Sequence, residues 1–271
     1  VVMLQAPFFD PLRSYEDNYD QGPFGAFADH DVYEQAGEPT HDFHGHKVYA
    51  PLGIPAGPLL NSAYCAAAFQ KGFDIAVYKT VRSGVFPSHP FPNVLAIHPD
   101  GDLDFEKLSK PVIADDQYSE PLSITNSFGV PSKDPSVWQE DVKKAIRSAG
   151  KGQVLVLSFM GTVHPDQTQQ EFVDDYVLAA KLAYETGAPV LETNLSCPNI
   201  GNEGLVCYNL DVTEQVAKGI RSVIGDTPLI LKVGYYKGDA DMEKLAEITQ
   251  AYATGVSGIN TLQAEVRNSA G

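Results

Sequence analysis

"APVLETNLSCPNIG" (residues 188–201) combines a short apolar run with a cluster of small polar residues, a cysteine and a proline. Its first part, APVL, is typical of a buried strand, and Asn194, Cys197 and Asn199 follow where that strand should end. A buried strand that ends in carboxamides and a thiol presents them to another molecule at one edge of its sheet. We therefore expect a functional site at the carboxyl end of this strand.

Strand-like and helix-like runs alternate along the rest of the chain. The predicted strands are 49–56, 74–80, 153–159, 188–196, 228–234 and 255–262, and the predicted helices are 61–72, 135–149, 167–187, 211–224 and 239–254. This alternation predicts βαβ units in a barrel or in an open, doubly wound sheet. Nearly every strand ends in residues able to do chemistry, as in barrel enzymes. The predicted fold class is therefore α/β, a TIM (β/α)8 barrel.

The strand count and the longer segments predict how the chain is organised. Six strands are two fewer than a complete barrel has, so about six βα units are present and we expect truncation at the C-terminus. We predict an irregular N-terminal arm over residues 1–45, packed by its aromatic residues, and the barrel over residues 46–271. A small hairpin is predicted around Gly45. Residues 81–134 are too long for a plain loop and predict an excursion over the barrel mouth, with a hairpin turning at Asp100–Gly101.

The composition limits the class of partner. A formal net charge of −16 argues against binding to nucleic acids or anionic membranes, since phosphates attract basic surfaces. No apolar stretch is long enough for a transmembrane helix, and no secretory signal opens the chain. Three cysteines fit a reducing compartment, so the predicted location is the cytoplasm. His41, His44 and His46 lack the arrangement and the fourth ligand of a zinc site, so no metal is expected.

Polar residues at the predicted strand ends form the candidate site. Lys79 and Lys232 end two strands, and Asn126 lies in the segment "ITNSFGVPS" of the excursion. Each has a structural alternative: the lysines could be surface residues with buried stems, and Asn126 could be an ordinary turn residue. Cys197 and Cys207 could be inert buried thiols, because free cysteine is among the most buried residue types.

Five motifs, in this order, resemble the dihydroorotate dehydrogenase family and the related flavin domain of dihydropyrimidine dehydrogenase: "PLGIPAG", "VYKTV", "ITNSFGVPS", "NLSCPN" and "LILKVG". The resemblance runs from about Phe43 to Leu262, and "NLSCPN" after a strand is its most specific part. It implies an FMN-dependent oxidoreductase that oxidises dihydroorotate or a similar dihydropyrimidine in pyrimidine biosynthesis. The cysteine in "NLSCPN" and the acidic N-terminal segment are similar to those of the cytosolic branch.

The resemblance also implies a role for each matching residue. Cys197 would be the general base that takes a proton from C5 while a hydride passes from C6 to the flavin, which suits a thiol with a modestly lowered pKa. Substrate contacts would come from Lys79, Asn126, Phe128, Gly129, Val130, Asn194, Asn199 and Gln263. Contacts to FMN would come from Ala56, Gly57, Lys79, Thr80, Ser158, Asn194, Lys232 and Asn260.

One departure from the family pattern leaves the substrate open. The family has Asn followed by Ser or Thr after the sixth strand, and the alignment places Gln263 and Ala264 there, with Asn260 and Thr261 three residues earlier. Another cyclic substrate is therefore an alternative to dihydroorotate, and a redox-inactive barrel used for binding or assembly is a second alternative. The expected assembly is a homodimer, with or without an electron-transfer subunit.

Overall fold

The N-terminal part of the protein combines a short helix with a hairpin. The structure, a computed structural model, describes residues 7–196 and 204–268. Helix α1 (Tyr15–Gln21) precedes an antiparallel hairpin of β1 (His41–Phe43) and β2 (His46–Val48). His44 and Gly45 form its turn with φ angles of 48° and 86°, which suit a two-residue hairpin loop. The predicted hairpin is confirmed.

Residues 15–21 of the predicted irregular arm are helical. The Ser14 side chain accepts a hydrogen bond from the backbone N–H of Asp17 and caps the helix. Asn18 is buried, and its carboxamide exchanges two hydrogen bonds with the backbone of Asp10, at 2.8 and 2.9 Å. A helix this short gains its stability from such contacts and not from periodicity, which is why the sequence pattern did not predict it. The division into an arm and a barrel stays a prediction.

The first unit of the main sheet is β3 (Gly53–Ile54), helix α2 (Ser62–Gln70) and β4 (Ile75–Val81). All seven residues of β4 are buried, as expected for a strand covered on both faces. The register of β4 shifts between Tyr78 and Val81, just where the strand approaches the candidate site.

The excursion after β4 forms a small sheet of its own. It contains β5 (Ala96–Ile97), helix α3 (Phe105–Leu108), β6 (Val112–Asp115) and β7 (Ser123–Ile124), and β5 pairs antiparallel with both β6 and β7. The predicted hairpin at Asp100–Gly101 is wrong in extent, because α3 lies within the connection and the second strand begins only at Val112. The Lys107 ammonium donates to the backbone carbonyls of Asp100 and Asp102, which holds this longer connection together.

The remaining units complete a parallel sheet of six strands. They are helix α4 (Pro135–Ser148), β8 (Val154–Phe159), helix α5 (Gln169–Tyr184), β9 (Val190–Asn194), helix α6 (Leu210–Ile224), β10 (Leu229–Lys232), helix α7 (Asp239–Tyr252) and β11 (Gly255–Ser257). The strands are ordered β3-β4-β8-β9-β10-β11, the same order as in the chain. A doubly wound sheet would reverse its order at a switch point. The predicted barrel architecture is therefore confirmed, with six strands present.

Side chains on the inner face of this sheet change from apolar to polar along each strand. The inner apolar cluster closes the end where the strands begin, and the β1–β2 hairpin packs there through Phe43 and Val48; its sheet members are Ile75, Val77, Val154, Val156, Val190 and Ile230. Two residues further along a strand, on the same face, Val156 is followed by Ser158 and Ile230 by Lys232. The apolar layer thus supports a polar layer at the carboxyl ends of the strands.

The helices cover the outer face of the sheet over a large apolar core. Tyr78, Trp138 and Tyr176 are among its fully buried side chains. Side-chain caps stabilise the first turns of the helices, and at α5 Thr168 and Glu171 form a capping box. Among the described helices, none combines the length and apolar content needed to cross a membrane.

A last strand, β12 (Val266–Asn268), joins the excursion sheet and not the barrel. It pairs in parallel with β6, with Val266 opposite Val112, and gives the small sheet the order β12-β6-β5-β7. The backbone N–H of Val112 also donates to the carbonyl of Glu265 at 2.9 Å. The segment after β11 therefore returns to the side of the molecule where the excursion lies.

Candidate functional site

Polar side chains from four neighbouring strands meet at the carboxyl end of the sheet. The hydroxyls of Thr80 and Ser158 lie 2.9 Å apart, which joins the ends of β4 and β8. Ser158 stands opposite Glu192 in the β8–β9 register, and Lys232 stands opposite Asn194 in the β9–β10 register. The residues that sequence reasoning assigned to separate strand ends are therefore adjacent in the structure.

Glu192 lies beside Ser158 in this layer and was not predicted. It is 3% exposed, and no described residue forms a hydrogen bond with its Oε1 atom. Burial raises the pKa of its carboxyl group, while the Lys232 cation and the hydroxyls of Ser158 and Ser257 act in the opposite direction. The alternation Glu192, Thr193, Asn194 along one strand was the available signal, because it places Glu192 on the inner face with Asn194.

Lys232 connects the two sides of the sheet. Its ammonium lies 3.4 Å from the backbone carbonyl of Ala56, which belongs to the segment after β3. The next residue, Gly57, has a φ of 134°, and no atom of residues 7–196 or 204–268 outside its immediate neighbours lies within 4 Å of the position that a Cβ would take. Gly57 therefore leaves open space beside Lys232, in a backbone conformation that other residues rarely adopt.

Lys79 connects β4 to the excursion. It is 6% exposed, and its ammonium donates to the carbonyls of Thr80, at 2.8 Å, and Pro131. Burial, and secondarily the nearby Arg82 cation, lower the pKa of Lys79 to about 7. The burial of Lys79 excludes the alternative that it is a surface lysine.

The segment Phe128–Val130 forms a turn that faces the end of β4. Gly129 and Val130 have φ angles of 74° and 52°, so two successive residues adopt the left-handed conformation. Within the described residues, the backbone N–H groups of Phe128, Gly129 and Val130 form no hydrogen bond. Successive N–H groups in such a turn make a concave site for an anion.

Arg82 binds the backbone carbonyls of this turn. It is a second residue that sequence reasoning missed. Its guanidinium donates to the carbonyl of Val130 at 2.9 Å and to that of Gly129 at 3.2 Å. The signal lay in its position three residues after Lys79, at the end of the same strand, but no motif pointed to a backbone contact of this kind.

Asn194 is tied to two segments of the site. Its Oδ1 atom accepts hydrogen bonds from the backbone N–H of Ser196, at 3.0 Å, and from the Asn260 carboxamide, at 3.4 Å. Its carbonyl accepts from the hydroxyl of Tyr176 at 3.0 Å. The structure thus brings together Asn194 and Asn260, which were both predicted from the sequence.

Other predicted residues are placed less tightly or lie outside the described part. Cys197 and Asn199 fall in 197–203, outside the described residues. Asn126 and Gln263 are exposed, so their assignment to the substrate stays a prediction. The remaining thiol in this region, Cys207, is buried, and burial raises its pKa, which fits the structural role considered for it.

Comparison with known proteins gives two curated relatives. The chain is 33% identical over 281 aligned positions to the dihydroorotate dehydrogenase of Dictyostelium discoideum, covering 97% of the chain and 74% of that protein. It is 25% identical over 144 positions to the catalytic subunit of dihydroorotate dehydrogenase B (NAD(+)) of Brachyspira hyodysenteriae, covering 52% of the chain and 43% of that protein. No family model matches the chain.

Solved structures share the fold. The ligand-free dihydroorotate dehydrogenase of Eimeria tenella superposes with a TM-score of 0.62 at 18% identity, covering 88% of the chain and 65% of that structure. The Eimeria enzyme in complex with ferulenol gives a TM-score of 0.58 at 16% identity, covering 82% and 59%. The chain therefore spans somewhat less than two thirds of these structures and about three quarters of the Dictyostelium relative.

Proposed function

Because the chain belongs to the dihydroorotate dehydrogenase family of oxidoreductases, which act on CH–CH bonds, we propose that it oxidises dihydroorotate or a similar dihydropyrimidine with FMN as its cofactor. The observation that carries the proposal is the polar layer at the strand ends, which joins Thr80 to Ser158 and Asn194 to Asn260. These residues come from the motifs that resemble the family.

The residues around the polar layer fit FMN. The open space beside Gly57, next to the contact between Lys232 and Ala56, would allow a flat ring to lie close to the backbone. The ring edge of a flavin needs donors and acceptors, and these are available from Ala56, Lys79, Thr80, Ser158, Asn194, Lys232 and Asn260. When bound, FMN supplies the hydride acceptor. Lys79 and Lys232 would supply positive charge to the anionic cofactor in an otherwise acidic protein.

The turn Phe128–Val130 fits the acidic group of the substrate. Its N–H groups, which have no partner in the described part of the chain, can donate to a carboxylate, and the ammonium of Lys79 donates to the carbonyl of Pro131, the residue after the turn. The amide edges of a pyrimidine present alternating donors and acceptors, which carboxamides match in both directions. Asn126, Asn194 and Asn199 are proposed for these contacts, with Asn260 or Gln263 as a further carboxamide.

Cys197 is proposed as the general base that takes the proton from C5 of the ring as the hydride leaves C6. The two residues before it in "NLSCPN" are Leu195 and Ser196, and both are anchored. The N–H of Leu195 donates to the carbonyl of Lys232 at 2.8 Å, and that of Ser196 donates to Asn194. The chain is therefore anchored at the carboxyl end of β9, directly before the proposed base.

The assembly and location extend the same proposal. We propose that the enzyme is cytoplasmic, in line with its acidic charge and its few cysteines. We also propose that it forms a homodimer. The Brachyspira relative is named as the catalytic subunit of an NAD(+) enzyme. An electron-transfer subunit is therefore a candidate partner for this chain as well.

The proposal is tested by anaerobic mixing of the full-length, FMN-loaded protein with dihydroorotate, dihydrouracil or dihydrothymine, following the absorbance of oxidised flavin. Bleaching by dihydroorotate is the expected result. Bleaching by the neutral rings alone would move the activity to other dihydropyrimidines. A protein that binds no flavin would favour the redox-inactive alternative.

Cys197→Ser is the variant that tests the base. We expect it to slow flavin reduction strongly while leaving the fold and the bound flavin intact, because serine is far less acidic than cysteine. Cys65→Ser is the matched control, since Cys65 lies on the buried face of helix α2, in the apolar core on the outer side of the sheet. Equal kinetics in wild type and Cys197→Ser would refute the assignment.

A further inference from the structure

All three guanidinium nitrogens of Arg82 donate hydrogen bonds, and their acceptors lie in two separate segments of the chain. On one side it donates to the carbonyls of Gly129 and Val130, at 3.2 and 2.9 Å. On the other side its Nη1 atom donates to the carbonyl of Gly161 at 3.1 Å and to the hydroxyl of Thr162 at 3.0 Å. The planar fork of arginine is suited to such a bridge, because its donors point in fixed directions. Arg82 therefore fastens the turn to the end of β8.

Arg82 is itself held rigidly. The residue is 6% exposed, and its guanidinium carbon lies 4.0 Å from the centre of the Phe86 ring. Its backbone N–H donates to the Ser132 hydroxyl at 3.0 Å, and its carbonyl accepts from the Trp138 indole at 3.2 Å. A side chain fixed in this way can impose a conformation on the groups that it binds.

The turn needs such a support. Val130 is β-branched and has a φ of 52°, a conformation that is unfavourable for this residue type. A trans peptide points its N–H opposite to its carbonyl. Because the Gly129 carbonyl points at Arg82, the N–H of Val130 points away from it. The carbonyl of Phe128 accepts from the N–H of His89 at 3.0 Å, which fixes the N–H of Gly129 in the same manner.

We propose that Arg82 is a positioning residue that keeps the N–H groups of the Gly129–Val130 turn directed at the acidic group of the substrate, and thereby sets the preference for an acidic over a neutral ring. This inference rests on the proposed function. Arg82 acts through the backbone of the turn and does not itself contact the ring. It is a specificity device outside the motifs that resemble the family.

The test uses the FMN-loaded protein and its Arg82→Met and Arg82→Lys variants. Dissociation constants for orotate and for uracil are measured from the perturbation of the flavin spectrum. For Arg82→Met we expect orotate binding to weaken by about tenfold or more, as for the loss of a charged hydrogen-bond anchor, with little change for uracil. Lysine keeps the charge but not the fork, so Arg82→Lys should restore only part of the orotate affinity.

Arg221→Met is the matched control. Arg221 also binds backbone carbonyls, those of Tyr252, Gly225 and Thr227, at the opposite end of helix α6 from the site. Its loss should leave both dissociation constants unchanged. Unchanged orotate binding in Arg82→Met, or equal weakening for orotate and uracil, would overturn the inference.

A second readout needs no ligand. Amide hydrogen exchange at Gly129 and Val130 should accelerate in Arg82→Met and stay as in wild type in Arg221→Met, because only the first variant releases the turn. If wild type failed to bind orotate, the proposed function would fail and the specificity role with it. If wild type binds orotate but exchange at the turn is unaffected by Arg82→Met, the positioning role alone is refuted.

Discussion

The carboxamide of Asn260 donates a hydrogen bond to Oδ1 of Asn194 across 3.4 Å, and so joins the segment after β11 to the end of β9. The same oxygen accepts from the N–H of Ser196 at 3.0 Å. Two donors on one oxygen fix the orientation of the Asn194 carboxamide. The segment after β11 therefore contributes to the site through Asn260, whereas Gln263 is exposed.

This contact predicts a ranking of two variants. Asn260→Ala should weaken FMN binding by up to about tenfold, the effect of one partly buried hydrogen bond, because Asn194 loses one of the two donors that fix its orientation. Gln263→Ala is the matched control and should leave FMN binding unchanged. Fluorescence titration of the flavin-free protein with FMN measures both. A larger effect on FMN binding at Gln263 than at Asn260 would contradict the prediction.

Lys79 predicts a stability change that depends on pH. Its pKa falls from 10.5 in the unfolded chain to about 7 in the folded protein, so the folded state binds fewer protons between these values. Burial of the charged ammonium therefore destabilises the folded state. This destabilisation is greatest below pH 7 and decreases as the pH rises towards 10.5. We expect Lys79→Met to raise the free energy of unfolding at about pH 6, and the gain to shrink by about pH 9.5.

Urea unfolding of the flavin-free protein at both pH values measures this. Lys181→Met is the control, because Lys181 is exposed on helix α5. A gain for Lys79→Met that is the same at both pH values would contradict the lowered pKa.

Glu192 predicts the opposite trend. Its folded-state pKa is raised, so the folded protein holds the proton to a higher pH than the unfolded chain does. Stability is then lost as the pH rises from the ordinary carboxyl pKa through the folded-state value. Glu192→Gln should equal wild type in stability at about pH 4 and exceed it at about pH 8, measured by urea unfolding. A constant difference across this range would show that Glu192 ionises normally.

Removing the Asp141 carboxylate, which lies among the helices outside the candidate site, should lower the free energy of unfolding. Its carboxylate accepts three hydrogen bonds, from the N–H and hydroxyl of Ser62 at 2.7 and 2.6 Å and from the hydroxyl of Tyr78 at 2.8 Å, which join helices α2 and α4 to β4. Asp141→Ala leaves these partly buried donors unpaired and should cost about 2–4 kcal/mol in the free energy of unfolding.

Two further variants bracket the effect of Asp141. Tyr78→Phe removes one of the three bonds and should cost about 1 kcal/mol. Asp174→Ala, at an exposed position where the carboxylate accepts a hydrogen bond from the Gln170 side chain, should change stability by less than about 0.5 kcal/mol. Thermal unfolding ranks the three, and a cost for Asp141→Ala no larger than that for Asp174→Ala would refute the prediction.

The regular part of the fold could be predicted from the sequence because each strand and helix there carries its own periodic pattern. Strand β4 is an unbroken apolar run up to Lys79, and helix α5 has a capping box and an apolar stripe. Helix α1 and the pairing of β12 depend on contacts with distant residues, so no local pattern predicts them. The course of the excursion could be predicted only as a departure from the barrel.

The candidate site divides in the same way. Residues with side chains typical of a site, such as Lys79, Asn194 and Lys232, could be predicted from their place at strand ends. Arg82 and Glu192 could not be predicted in this way, because their roles depend on residues distant in the sequence. Arg82 binds the carbonyls of a turn, and Glu192 interacts with the Lys232 cation.

The pairing of β12 with β6 has a consequence for how the protein is made. A ribosome releases β5, β6 and β7 before any of the strands from β8 to β11, and β12 after all of them. Until then, the outer edge of β6 is an unpaired strand edge on the nascent chain, next to a growing barrel. Such edges invite pairing with other chains, so the synthesis of β12 also removes a hazard of aggregation.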